Sequence, residues 1–193
     1  MRTHHSAEVK QQISRPAMRK WSLLLYCWLL LPFAGQTQQA GVAGTASSVR
    51  TFVQAFYGWY LPKATTGGAG RTWQTALEKK ANCFSPELRR RLRADATAQA
   101  RVAHDLVGLD FDPILNSQDP DPYYRVGKVV RKGQTYMVEI RRVVPGTAGQ
   151  RAVLAEVGGT AGQWYFVNFR YPESPDLITL LKTLEKSRTT SFR

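Results

Sequence analysis

Between Ser47 and Pro62 the chain reads SSVRTFVQAFYGWYLP, with apolar side chains at Val49, Phe52, Val53, Phe56, Tyr57 and Tyr60. This is the i, i+3, i+4, i+7, i+8, i+11 spacing of one helical face. It predicts a helix with Ser47 or Ser48 as N-cap and Pro62 as its stop. KATTGGAG reads as a loop, and its Gly67-Gly68 as turn glycines. RTWQTALEKKAN predicts a short second helix carrying Trp73, Ala76, Leu77 and Lys80. A third begins at Ser85-Pro86, an N-cap followed by proline at the first helical position. Its apolar stripe (Leu88, Leu92 and several alanines) is thin, which predicts a surface helix.

Past residue 123 the period drops to two. YYRVGKVVRKGQTYMVEIRRVV alternates, with Tyr136, Val138 and Ile140 on one side and Lys132-Gly133 as a tight hairpin connection. QRAVLAEVG and QWYFVNFRY predict two further strands, joined through Gly158-Gly159-Thr160-Ala161-Gly162. SPDLITLLKTLEKS predicts a closing helix with Leu177, Ile178, Leu181 and Leu184 on its face. Helices first, then about four antiparallel strands and a last helix, define an α+β domain whose N-terminal helices pack on one face of a curved sheet. The pattern places that domain at residues 47–187, a linker at 36–46 and a tail at 188–193, with no internal repeat.

The first 35 residues have a different character. MRKWSLLLYCWLLLPFAG couples a basic start, Arg19 and Lys20, to an apolar run from Trp21 to Leu31, then Pro32 and small residues. The run is too short for a membrane span, which needs about 20 residues. It predicts a secretory signal peptide, with Met18 as an alternative start and cleavage after Gly35 or Ala43. Tyr26 precedes Cys27, so no lipobox is present. An uncleaved anchor is the alternative. The cleaved chain is expected to be exported, periplasmic or secreted, with no membrane span and Cys83 as its sole cysteine, read as a small buried hydrophobe.

Charge adds one class of partner. Removing residues 1–43 leaves 22 Lys and Arg against 13 Asp and Glu, a net of +9. Within ELRRRLR, Arg89, Arg90, Arg91 and Arg93 form a candidate basic patch for anionic lipid or envelope polymer. No nucleic-acid motif accompanies them, so nucleic acid is not an expected partner.

Five aspartates, Asp105, Asp110, Asp112, Asp119 and Asp121, crowd into this basic chain just before the first strand. The foremost reading is turn chemistry. Asp-Pro steps let Asp accept from nearby backbone N–H groups while Pro fixes φ. Phe111, Ile114 and Leu115 would then plug the loop into the core, with Gln118 and Asp119 tying down backbone. Asp110, Asp112 and Asp119 also make a weak calcium candidate, although the spacing does not fit an EF-hand loop. A third reading makes Asp110 or Asp112 a general base, with Tyr124 or Tyr165 donating to an oxyanion. His104 is a further shuttle candidate in that reading.

The run Leu109-Asp110-Phe111-Asp112-Pro113-Ile114-Leu115-Asn116-Ser117-Gln118-Asp119, followed by Tyr124-Arg125-Val126-Gly127, resembles domain-of-unknown-function family 3828, small bacterial exported or lipid-anchored envelope proteins. FVQAFYGWYL and WYFVNFRY fit the same pattern. The resemblance implies a cystatin-like roll of the nuclear transport factor 2-like type, and brings no activity or catalytic residue with it. The expected function is non-enzymatic binding of a small ligand, peptide or envelope protein on the concave sheet. Trp164, Phe166 and Tyr124 are candidate lining, and Asp110, Asp112, Gln118 and Asp119 adjoining candidates. No cofactor is called for. The chain has no nucleophile elbow, metal-binding His cluster or Gly-rich phosphate loop between strand and helix.

Overall fold

The computed structural model describes residues 45–66, 72–102, 106–160 and 162–191, all of them in one compact unit. The proposed leader, His104, Asp105 and Gly67-Gly68 lie outside these residues.

Helix α1, Ala46–Thr66, opens upstream of the expected serines. Thr45 caps it, its Oγ1 accepting from the Ser48 backbone N–H at 3.2 Å. Nor does Pro62 end it. The bond that proline forfeits would go to the carbonyl of Gly58, a residue on the exposed side of the helix. Helix α2, Thr72–Lys79, follows, then a 3₁₀ turn at Ala81–Cys83 and helix α3, Pro86–Ala100. Ser85 caps α3 as the sequence predicts, its hydroxyl accepting from the Leu88 N–H at 3.2 Å.

Strands β1 (Tyr124–Lys132), β2 (Thr135–Arg142), β3 (Gln150–Thr160) and β4 (Gln163–Arg170) form one antiparallel meander in sequence order. The first hairpin turns at Gly133-Gln134, one residue later than the sequence suggests. Gly133 has φ 59°, the positive value a tight two-residue hairpin turn needs at its first position. Gly158 and Gly159 are not turn residues but lie inside β3. A Cβ at Gly158 would sit 2.9 Å from Val167 Cγ2, so glycine there permits close strand approach. Each ladder carries an irregularity, at Val126/Val129, Ile140/Arg141 and Glu156/Val157, which bends and twists the sheet.

Tyr136, Val138, Ile140, Val153, Ala155, Val157 and Phe166 meet the helices in a single core with Val53, Phe56, Leu88 and Leu92. The expected α+β class is therefore what forms, with three helices before the sheet and α4, Leu177–Ser191, after it. Helix α4 absorbs residues 188–191 of the expected tail. The reason is electrostatic. Asp95 on α3 is 1% exposed, and Arg188 Nη1 reaches its Oδ1 and the Val107 carbonyl, each at 2.7 Å. Asp95 Oδ2 accepts from the Leu109 N–H at 2.9 Å, so one pair ties α4, α3 and the incoming loop together.

Candidate functional site

The Asp-rich segment is built around Asp112. A six-residue loop closes on itself, with Asp112 N–H donating to Ser117 O at 2.8 Å and Ser117 N–H to Asp112 O at 3.3 Å. Asn116 sits at φ 53°, a conformation asparagine tolerates. Inside the loop, Asp112 Oδ1 accepts from the N–H groups of Ile114 and Leu115 at 2.9 and 3.1 Å. Oδ2 accepts from the Tyr60 hydroxyl. Two more phenols grip the same backbone, Tyr57 on the Ile114 carbonyl and Tyr171 on that of Pro113, both at 2.9 Å. Ile114 and Leu115 are fully buried. Asp112 therefore acts as the turn reading expects, whereas Gln118 donates to the Asp110 side chain and not to backbone.

Burial raises the Asp112 pKa from 3.8 to about 6, despite the bonds from Tyr60, Ile114 and Leu115 that favour its anion. A raised carboxylate would suit a general base, yet Asp112 is 3% exposed and lines neither cleft flanking the segment. The phenols of Tyr57, Tyr60 and Tyr171 are held well above their usual value by burial first and the Asp112 charge second, so they stay protonated donors.

The other candidates in this segment part company. Asp110 is exposed and accepts from Gln118 Nε2 at 3.2 Å. Asp119 lines a polar cleft of about 480 Å³ with buried Tyr124, Arg142, Arg151 and Glu173. Asp121 accepts from the Tyr123 N–H at 2.9 Å and pairs with Arg142. The calcium reading is thereby corrected: Asp112 turns inward, Asp110 turns to Gln118, and Asp119 faces another cleft. Among the described residues no three His, Cys, Asp or Glu side chains gather as metal ligands.

Of the candidate sheet lining, Phe166 is core: it is fully buried, its ring centroid 4.8 Å from Phe56 and 5.1 Å from Phe52. Trp164, two residues earlier, is at the end where that core stops. An open cleft of about 900 Å³ lies there between the start of α1, the 3₁₀ turn, the first turn of α3 and the β3–β4 end of the sheet. Its apolar wall comes from Phe52, Phe84, Trp164 and Tyr165, and Arg89 and Cys83 also line it. Phe84 is fixed in place by the Ser85 N–H, which donates to Phe166 O at 2.8 Å. Trp164 Nε1 is buried and, among the described residues, is the one buried side-chain polar atom without a hydrogen-bond partner. Cys83 is half-buried, and burial raises its pKa above that of a free thiol against the opposing charge of Lys80, a shift that disfavours the thiolate.

The arginines of ELRRRLR do not form a free basic face. Arg90 and Arg91 both pair with Glu87, and Arg91 Nη1 also meets Glu185 at 3.0 Å. Arg93 Nη2 donates to the Leu77 carbonyl at 3.4 Å. Only Arg89 opens onto the apolar cleft. Phe52 and Phe84 are missing from the sequence-derived candidates because an aromatic on a helical stripe reads as core. The available signal is Phe84 directly before the Ser85-Pro86 helix start, where a staple-like residue fixes chain entry.

Among the described residues no helix is long and apolar enough to cross a membrane. Comparison with family models, curated proteins and solved structures finds no match for this chain.

Proposed function

We propose that this chain is an exported, non-enzymatic binding domain that takes a small, largely apolar molecule in the cleft beside Trp164. The observation that carries the reading is the open, aromatic-walled cleft of about 900 Å³ beside Trp164. Small-molecule sites are concave, mostly apolar and of about 300–1,000 Å³ with few polar groups. Export rests on the leader read in residues 1–35, with Met18 as an alternative start. It does not rest on the resemblance carried by Leu109–Gly127, for which the family comparison gives no match.

Thermal unfolding of the full chain with a panel of small apolar molecules tests this. A ligand at about 100 times its Kd adds roughly 2.7 kcal/mol, which raises the midpoint of a domain this size by about 5–10 °C. Thr51 lines the cleft on the exposed side of α1, and Thr51→Trp should obstruct the aromatic wall and abolish the shift. A panel without any shift, or a shift that survives Thr51→Trp, would remove the cleft as the site.

A further inference from the structure

Resting on that cleft reading, we infer that the ligand is an amphiphile with an anionic head, its apolar body against Phe52, Phe84 and Trp164 and its head at Arg89. Among the described residues, Arg89 is the only charged side chain lining the cleft. The remaining polar lining is neutral, from Ser48, Thr51, Asn82 and Gln163. Of the neighbouring arginines of α3, Arg90 and Arg91 pair with Glu87 and Glu185, while Arg93 donates to the Leu77 carbonyl and does not line the cleft. Arg89, like Arg93, has no carboxylate at ion-pair distance among the described residues. Its guanidinium makes one hydrogen bond, a long 3.4 Å contact from Nη1 to the Ala81 carbonyl.

An unneutralised guanidinium at the wall of an aromatic cleft selects by charge as well as by shape. Its planar fork donates two parallel hydrogen bonds to a carboxylate or phosphate oxygen pair, which a neutral hydroxyl cannot reproduce. The apolar wall gives the same contact to an acid and to the matching alcohol. Charge therefore supplies the discrimination and the wall supplies the shared affinity.

Matched probes separate these two contributions. Decanoate, decyl phosphate and decanol would be titrated into the full chain below their aggregation concentrations, with binding read by calorimetry. The expectation is that decanoate binds about tenfold or more tighter than decanol, the size of one charge-assisted interaction. Arg89→Met, which keeps the apolar stem, should bring that ratio close to one. Arg90→Met, outside the cleft, should leave it unchanged. A decyl phosphate preference over decanoate would assign the head to a phosphate, and the reverse to a carboxylate, both within the anionic class. Equal binding of decanoate and decanol, still blocked by Thr51→Trp, would overturn the anionic head and leave the cleft reading standing. Absence of binding by all three probes, or binding that Thr51→Trp leaves intact, would overturn both.

Discussion

Asp112 keeps three hydrogen bonds to its carboxylate and is still raised to a pKa of about 6, because burial penalises the anion more than the bonds favour it. The unfolded chain releases this proton near 3.8, the folded protein near 6. Between those values the folded state binds more protons, so this site's stabilisation is complete below about pH 4 and lost as pH rises through 6. The gap between the two values corresponds to about 3 kcal/mol. Asp112→Asn keeps an acceptor for Ile114 and Leu115 and cannot ionise. Urea unfolding should show its stability relative to the native chain improving by up to about 3 kcal/mol from pH 4 to pH 7. Parallel pH courses for the two proteins would show that the anion costs nothing there. The aspartate itself is readable as a turn residue from its Asp-Pro step. The phenols that surround it are not, because helical periodicity reports where a Cβ points and not where a hydroxyl ends. Arg89 is legible as basic but not as separate from a patch, since its neighbours' pairing with Glu87 and Glu185 depends on rotation about α3 and on the distant α4.

At the level of elements, every helix and strand expected from periodicity forms, and the differences cluster at ends. Pro62 reads as a stop because sequence does not say that Gly58, whose carbonyl loses its partner, lies on the exposed side of α1. The glycines at 158 and 159 read as a turn because composition cannot distinguish a turn from close strand approach. The last turn of α4 carries no apolar signal at all; what keeps it helical is Arg188 reaching buried Asp95 across 93 residues of sequence. Removing one member of such a pair leaves an unpaired buried charge and costs about 3–5 kcal/mol. Arg188→Met should therefore destabilise by at least about 3 kcal/mol in urea unfolding, although it lies among residues that read as a tail. Adding Asp95→Asn should recover part of the loss, since the neutral amide retains an acceptor for Leu109. A loss under about 0.5 kcal/mol, the size of an ordinary surface substitution, would place the helix end outside the cooperative fold.

For the molecule as a whole, an open four-stranded sheet leaves two edges to be managed. The β4 edge is met at Phe166, where Phe84 bridges to it and the Ser85 N–H bonds its carbonyl. The β1 edge is protected differently. Arg50 from α1 donates to the carbonyls of Val126 and Gly127 at 3.3 and 2.7 Å, next to the irregularity that bends the strand. Beyond that point the strand carries exposed Lys128, Arg131 and Lys132 around Val130, which is 45% exposed. Like charges on an edge strand oppose pairing with a second copy, so part of the chain's net +13 works against edge-to-edge association. Replacing Lys128, Arg131 and Lys132 together by Thr, which favours strands, should preserve the fold by circular dichroism yet raise light scattering at equal concentration and salt. Net charge falls by three in that variant, and charge alone governs some solubility. A companion with Arg90, Arg101 and Lys186, all exposed on helices or at their ends, changed to Gln loses the same charge away from the edge. Association of the edge variant alone would locate the protection on β1. Equal association of both would assign it to net charge, and 1 M salt, which shortens screening to about 3 Å, should then drive the native chain to the same state.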